Sequence, residues 1–154
     1  MSMKSEQHFG FKKIREEDKT KQVQALFSDV ASYYDLMNDA LSLGTHRLWK
    51  NTLIHQIISP APYDVILDLA CGTGDLSFKI RQVCPEAKVT MCDLNLEMLI
   101  EAKKRSFDEN HPDVNMLQAN AESLPFADCT FNKAMIAFGI RNVTHINLAL
   151  KELY

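Results

Sequence analysis

A stretch near the middle of the chain, VILDLACGTGD at residues 65–75, restricts the possible folds more than any other part of the sequence. It opens with an apolar run at residues 65–67, which is typical of a strand buried on both faces of a parallel sheet. The chain then turns at Gly72 and Gly74 and enters residues 76–83, whose pattern predicts a helix. Because glycine has no Cβ, a ligand can approach the backbone of such a turn closely. The stretch therefore predicts a nucleotide-binding turn between a strand and a helix.

The residues around this turn discriminate between classes of nucleotide. A dinucleotide loop has the pattern G-x-G-x-x-G, and its third glycine lets the helix pack close to the strand. Ser77 stands at that third position, and the carboxylate of Asp75 lies where a diphosphate would bind. Asp68 completes a D-x-x-x-G-x-G pattern, which suits the amino group of a bound amino-acid moiety. The pattern favours S-adenosylmethionine, with another nucleotide or a plain strand–helix turn as alternatives.

The composition indicates a single domain of mixed charge. The chain has 154 residues, with 17 Lys and Arg against 20 Asp and Glu, so a nucleic-acid partner is not expected. The four cysteines form no C-x-x-C pair and no zinc-type spacing with the histidines, so reduced thiols and no metal are expected. No signal-peptide core and no run of 18 apolar residues occurs. We therefore expect a cytoplasmic protein that does not span a membrane, with peripheral contact to the inner membrane as a further expectation.

The chain divides into three regions. Residues 1–18 are polar and predict a mobile or surface arm. Residues 19–62 predict a helical region, whose first helix has one apolar face formed by Val23, Leu26, Phe27, Val30, Tyr33, Tyr34 and Met37. This face either packs on the core or acts as a lid over an active site or a lipid-contacting surface. A second helix is predicted over residues 46–58, with Thr45 as its N-cap and Pro60 beyond its end.

Strands and helices alternate over residues 63–154. The predicted strands are residues 65–67, 87–92, 114–118 and 131–138, and the predicted helices are residues 76–83, 96–106 and 146–154. Alternation of this kind predicts an α/β fold with a doubly wound parallel sheet. In such a sheet ligands bind beyond the carboxyl ends of the strands.

Three further sets of residues follow strand ends and are candidates for that site. Asp93 ends the second strand, where a carboxylate accepts hydrogen bonds from ribose hydroxyls or else caps the next helix. The loop NAESLPF begins at Asn120, whose side chain suits the polar edge of adenine or else stabilises the turn. Arg141 and Asn142 follow the fourth strand, where they face the cleft or else lie on the surface.

These segments together resemble the ubiquinone/menaquinone biosynthesis C-methyltransferases. The similar segments are HFGF near the start, YDLMNDALSLGTHRLW at residues 34–49, LDLACGTGDL, NAESLPF and FGIRNV, in family order from His8 to Tyr154. The resemblance implies a class I, S-adenosylmethionine-dependent methyltransferase with a Rossmann-like, three-layer αβα fold and N-terminal lid helices. Its implied reaction is methylation of a ring carbon of a polyprenylated quinol, a benzoquinol or a naphthoquinol.

The resemblance also implies roles for individual residues. Its cofactor contacts fall on Thr73, Asp93, Asn120 and Ala121, which join Asp68, Gly72 and Gly74 of the turn. A further family contact is a serine before FGxRN, and Ala137 replaces it here. Arg141, Asn142 and Tyr34 are the candidate catalytic residues, stabilising the quinolate or positioning a water that accepts the proton. His46 is the alternative base.

The family pattern extends beyond Tyr154, into an R-V-L-K-P-G-G turn and three further strands, in the sheet order 3-2-1-4-5-7-6. We therefore expect an incomplete sheet whose fourth strand forms an edge. Either the chain is a truncated product, with weak or no activity but retained cofactor binding, or a partner or symmetric copy covers that edge. The remaining rival is a nicotinamide-dependent enzyme, which Ser77 and Asp75 disfavour.

Overall fold

The computed structural model describes residues 6–9, 12–15, 22, 25, 26, 28 and 45–154. Residues 22, 25, 26 and 28 are helical, in agreement with the first predicted helix at those positions. The rest of its apolar face, including Tyr34, lies outside the described residues.

The N-terminal region contains regular structure that its polar composition did not predict. Strand β1 (Glu6–Phe9) pairs antiparallel with strand β2 (Lys12–Arg15), from Glu6 opposite Arg15 to Phe9 opposite Lys12. The charged run that begins at Lys12 conceals the strand pattern in the sequence. The predicted arm thus includes a two-stranded hairpin.

The second predicted helix consists of two different helical segments. Helix α1 (Thr45–Thr52) is followed directly by a π-helical segment (Leu53–Ile58). Ile54 in this segment is fully buried against the sheet, in a cluster with Ile66 and Ile80. The segment ends at Ser59, which adopts a left-handed conformation and donates its N–H to the Ile54 carbonyl oxygen.

A four-stranded parallel sheet forms the centre of the described fold. Its strands are β3 (Val65–Leu69), β4 (Lys88–Asp93), β5 (Asn115–Gln118) and β6 (Lys133–Ile136), in the order β5-β4-β3-β6. The connecting helices are α2 (Asp75–Val83) and α3 (Leu96–Asp108), and α4 (Ile146–Leu153) follows β6. The predicted α/β class and parallel sheet are confirmed. The fourth strand is shorter than predicted because the backbone turns at Phe138, where φ is +57°.

Apolar residues from both faces of the sheet form the core. Neighbouring residues of β3 point to opposite faces, with Ile66 in one cluster and Leu67 in another. Helix α2 contributes Phe78, which packs with Met91 and Ala102. This double burial explains why the β3 sequence is continuously apolar apart from Asp68.

Asp64 joins the amino ends of β3 and β6, at the side of the sheet away from the glycine turn. Its carboxylate accepts hydrogen bonds from Ala61 N at 2.7 Å and Asn132 Nδ2 at 2.8 Å, and pairs with Lys133 Nζ at 2.7 Å. The hydrogen bond from Lys133 holds the pKa of the Asp64 carboxyl below its usual value. These contacts fix the two strands against each other and leave their carboxyl ends for the site.

Candidate active site

The glycine turn connects the end of β3 to the start of α2. Gly72 and Gly74 both have positive φ, at +58° and +82°. A Cβ at Gly74 would lie 2.1 Å from Met91 Cε and 2.9 Å from Phe78 Cε2. Gly74 is therefore required chiefly by its left-handed backbone conformation, and a Cβ there would also displace the Phe78 ring and the end of the Met91 side chain.

Asp93 lies at the carboxyl end of β4, directly beside this turn. One carboxylate oxygen accepts from Gly72 N at 2.8 Å, and the other accepts from Asn95 N at 2.9 Å. Burial raises the pKa of Asp93, and these backbone N–H groups partly oppose the rise. The cap of α3 is Asn95, whose Oδ1 accepts from Met98 N at 3.0 Å, so capping does not account for Asp93. Each Asp93 oxygen retains acceptor capacity for a further donor such as a hydroxyl.

Asp68 is buried inside the sheet, with only 2% of its surface exposed. Ser77 Oγ donates to Asp68 Oδ2 at 2.6 Å, which links β3 to α2. Burial raises the pKa of Asp68 to about 7, against the opposing effect of the Ser77 hydrogen bond, and the charges of Asp93 and Asp75 raise it further. A site beside Asp68 and Asp93 favours a positively charged ligand group.

Asp75 begins α2 and is held by two cations. Lys50 Nζ lies 2.7 Å from Asp75 Oδ2, and Arg105 Nη2 lies 2.9 Å from Asp75 Oδ1. Burial alone would raise the pKa of Asp75, but the contacts from Lys50 and Arg105 outweigh it and lower the pKa. Repulsion of a diphosphate by Asp75 is therefore weaker than the sequence suggested. The distinction from a dinucleotide loop depends more on Ser77, which fills the position of the third glycine and is fully buried.

The loop after β5 lies beside the end of β4, because Ala119 N donates to the Asp93 carbonyl oxygen at 3.1 Å. Asn120 is exposed, and its Oδ1 accepts from Glu122 N at 3.0 Å, which stabilises the turn. Ala121 is buried against β3 and β4. An adenine contact at Asn120 and Ala121 stays a prediction, as does a cofactor contact at the buried Thr73.

The loop after β6 packs against the end of β3. A Cβ on Gly139 would lie 2.3 Å from Ala70 Cβ, so only glycine allows this close approach. Arg141 is exposed, and its guanidinium carbon lies 5.9 Å from the centre of the Phe138 ring. The ring of Trp49 in α1 meets the Phe138 ring edge-on, at 4.7 Å between centroids. The sequence did not predict that Phe138 and Trp49 are neighbours, although both lie within segments of the family resemblance.

The structure thus brings the predicted residues to one end of the sheet, in two groups. The predicted cofactor-binding residues of the glycine turn, β4 and the β5 loop lie on one side of β3. Arg141 and Asn142 follow β6, on the other side of β3. Tyr34 lies outside the described residues, and the side chain of His46 is not among those described. No helix within the described part of the chain is long and apolar enough to cross a membrane.

The chain is similar to curated methyltransferases over nearly its whole length. It is 47% identical over 152 residues to the ubiquinone/menaquinone biosynthesis C-methyltransferase UbiE of Rickettsia bellii, covering 96% of this chain and 60% of that protein. It is 39% identical over 177 residues to the mitochondrial 2-methoxy-6-polyprenyl-1,4-benzoquinol methylase of Dictyostelium discoideum, covering 96% of this chain and 56% of that protein. The chain therefore spans less than two thirds of the length of these relatives.

Solved structures share the fold at low sequence identity. A SAM-dependent methyltransferase from Aquifex aeolicus matches with a TM-score of 0.55 and 22% identity, over 61% of this chain and 51% of that one. The [4+2]-cyclase SpnF matches with a TM-score of 0.67 and 16% identity, over 84% of this chain and 54% of that one. Since one of these is named for a different reaction, the fold alone does not assign the chemistry.

A family profile gives the assignment that the fold cannot. The ubiE/COQ5 methyltransferase family matches residues 14–154, which include the glycine turn, Asp93 and the loop that carries Arg141. By this match and by its identity to the curated relatives, the chain belongs to the ubiE/COQ5 methyltransferase family.

Proposed function

We propose that this chain binds S-adenosylmethionine and takes part in C-methylation of a polyprenylated quinol in ubiquinone or menaquinone biosynthesis. The observation that carries the proposal is the Asp93 carboxylate, fixed by Gly72 N and Asn95 N at the end of β4. Family membership and the names of the relatives support the reaction and the class of acceptor.

The chemistry of the turn fits this cofactor. S-adenosylmethionine carries a positively charged sulfonium and an ammonium group, and when bound it supplies an electrophilic methyl group. Asp93 and, above its raised pKa of about 7, Asp68 provide negative charge beside the turn, and Asp93 has acceptor capacity for ribose hydroxyls. We assign cofactor binding to Asp68, Gly72, Thr73, Gly74, Asp93, Asn120 and Ala121.

The loop after β6 supplies the acceptor side of the proposal. Arg141 is a permanent cation in an exposed position, so it can stabilise the oxygen of a quinolate. We assign Asn142 to the same function, and Tyr34 to positioning either the quinolate or a water that accepts the ring proton. Removal of water from around Arg141 would strengthen its interaction with the acceptor.

The cofactor assignment is tested by calorimetry with S-adenosylhomocysteine. Wild-type chain should bind this nucleoside and should not bind NADH. Asp93→Asn removes a charged acceptor and should weaken binding about 10- to 100-fold, since hydrogen bonds to charged groups contribute about 1.5–3 kcal/mol. Asp108→Asn, an exposed change at the end of α3, is the matched control and should leave affinity unchanged. Equal affinities of wild type and Asp93→Asn would refute the assignment.

Arg141→Ala tests the acceptor side. Turnover of a short-chain demethylated quinol should fall by at least about 100-fold, because a charge-stabilising group is lost in the transition state. Affinity for S-adenosylhomocysteine should stay within about twofold, because Asp93 and Arg141 lie on opposite sides of β3. A parallel loss of cofactor affinity would show that Arg141 has a structural role.

A second candidate function is cofactor binding without efficient turnover. The observation that favours it is the fixed Asp93 carboxylate at the glycine turn, which supports cofactor binding by itself, whereas Arg141 is exposed. The calorimetric and turnover measurements together discriminate the two: binding with no methyl transfer by the wild-type chain would select this second function.

We also propose a partner at the edge of the sheet and a cellular location for the protein. Strand β6 is an edge strand of the described sheet, and α4 beside it exposes Ile146, Leu148 and Leu150. We propose that a second copy or a partner covers this edge, and that the protein is cytoplasmic with peripheral contact to the inner membrane, where a polyprenylated acceptor resides. A mass in solution equal to one chain would exclude the second copy, and failure to co-sediment with lipid vesicles would exclude the membrane contact.

A further inference from the structure

Phe138 is a large aromatic residue in an exposed position at the carboxyl end of the sheet. It exposes 56% of its surface, although it follows β6 directly and lies in the loop that carries Arg141. An isolated exposed phenylalanine needs no special explanation. Phe138 differs because the structure defines its backbone conformation and its ring contacts with Trp49 and Arg141.

The backbone holds Phe138 in an unusual conformation. Its φ of +57° lies in the left-handed region, which residues other than glycine, asparagine and aspartate rarely adopt. Ala70, at the end of β3, also has a positive φ, of +54°. Gly139 closes the contact between these two segments, since a Cβ there would meet Ala70 Cβ at 2.3 Å. Backbone strain of this kind is concentrated at functional sites.

Two neighbours fix the orientation of the Phe138 ring. The Trp49 ring meets it edge-on, with 4.7 Å between centroids and 75° between planes. Trp49 is itself restrained because the next residue, Lys50, pairs with Asp75 at 2.7 Å. The Arg141 guanidinium carbon lies 5.9 Å from the centre of the Phe138 ring. The exposed aromatic surface is therefore held rigidly next to a cation.

The position of Phe138 in the sheet determines whether it can contact the cofactor or the methyl acceptor. Strand β3 separates β6 from β4, whose end carries Asp93. A nucleoside held by Asp93 and by the β5 loop lies on the β4 side of β3. Phe138 lies on the β6 side with Arg141, which is the side left for the methyl acceptor.

We propose that Phe138, supported by Trp49, is the stacking surface for the planar ring of the acceptor and selects aromatic or quinonoid rings. The inference rests on the proposed function and extends it, since it names a specificity-determining residue. A flat ring placed on Phe138 has the offset-stacked or edge-on geometry that aromatic pairs prefer. Its ionised oxygen then lies within reach of Arg141, so one loop recognises both the ring and its charge.

The test uses Trp49, the only tryptophan of the chain, as a fluorescent reporter in contact with Phe138. A demethylated naphthoquinone with a short prenyl chain is titrated against the protein, with S-adenosylhomocysteine present, and quenching of Trp49 gives the dissociation constant. Phe138→Leu keeps an apolar side chain without a planar ring and should weaken binding about 3- to 10-fold. Phe138→Tyr keeps the ring and should bind within about twofold of wild type.

Phe131→Leu is the matched control, because Phe131 forms a similar edge-on pair with Phe126, at 4.8 Å, in another cluster. It should leave quenching unchanged. Unchanged quinone affinity in Phe138→Leu, or no quenching in wild type, would overturn the inference. Calorimetry with S-adenosylhomocysteine separates the two proposals: wild type that does not bind it contradicts the proposed function, whereas quinone binding that depends on Phe138 still supports the stacking surface.

Discussion

Asp68 shows how a single buried carboxylate sets the electrostatics of the glycine turn. Among the described residues, its close side-chain donor is Ser77, and it lies near the charges of Asp93 and Asp75. An uncompensated buried charge is costly, and a positively charged ligand group nearby would relieve that cost. If Asp68 contacts the cofactor as we propose, this energetic cost favours ligand binding rather than folding.

The pH dependence of stability should reveal this cost. Burial raises the pKa of Asp68 to about 7 from a reference value of 3.8, so the unfolded chain ionises first and stability falls as the pH rises between these values. Asp68→Asn keeps an acceptor for Ser77 and should lack this fall. Relative to the variant, wild type should lose about 2–3 kcal/mol of unfolding free energy between pH 5 and pH 8. Urea unfolding at both pH values measures it, and parallel pH profiles would contradict the buried, neutral carboxyl.

Individual residues were predictable from the sequence where a motif defines a backbone position. Gly72, Gly74 and Asp93 lie together at the turn, as expected. Pairings between distant segments were not predictable, because no local pattern specifies that Lys50 meets Asp75. Spacing along the chain carries little information about such contacts, which depend on how helices pack.

Helix α4 depends on the loop after β5 at both of its ends. Near its start, Glu122 Oε1 accepts from Thr144 N at 3.1 Å and from His145 N at 2.9 Å, and Glu122 Oε2 lies 2.6 Å from His145 Nδ1. Near its end, Glu152 Oε2 accepts from Leu124 N at 2.7 Å. A carboxylate at the start of a helix satisfies free N–H groups and interacts favourably with the helix dipole.

Glu122→Gln should therefore destabilise the protein. We expect a loss of about 1–2 kcal/mol at pH 7, typical of a lost helix cap, whereas Glu101→Gln, in an exposed pair with Lys104, should change stability by less than about 0.5 kcal/mol. Burial would raise the pKa of Glu122, but the contacts with His145 lower it overall, so the stabilisation is lost as the pH falls through that lowered pKa. Thermal unfolding at pH 7 and pH 3 measures both effects. A difference between wild type and Glu122→Gln that is as large at pH 3 as at pH 7 would contradict this origin.

Hydrophobic periodicity predicted which helices and strands are present, but it predicted their first and last residues less accurately. The π-helical segment was missed because Leu53 and Ile58 fit an α-helical pattern equally well. The early end of β6 was missed because Phe138 has a high strand propensity, whereas in the structure it has a positive φ, contacts Trp49 and is followed by Gly139, which packs closely on Ala70.

At the scale of the whole molecule, the order β5-β4-β3-β6 agrees with the 3-2-1-4 part of the sheet order that the family resemblance implies. The relation of the N-terminal region to the sheet was not predictable. Its described contacts combine the apolar packing of Ile54 with specific polar pairs, such as Asn95 Nδ2 donating to Ser28 Oγ at 3.0 Å and Lys50 pairing with Asp75. Amphipathic patterning identifies an apolar face but does not specify where that face packs.

The central place of β3 has a consequence for synthesis of the chain. Its pairing with β6 joins Ile66 to Lys133, 67 residues further along. Ribosomes add about 5–20 residues per second, so one side of β3 waits roughly 3 to 13 seconds for its neighbour. During that interval the nascent chain presents an apolar strand with free hydrogen-bonding groups, which favours aggregation. Chaperones that bind emerging apolar segments should therefore associate with chains on ribosomes stalled before residue 133 more than with the released 154-residue chain.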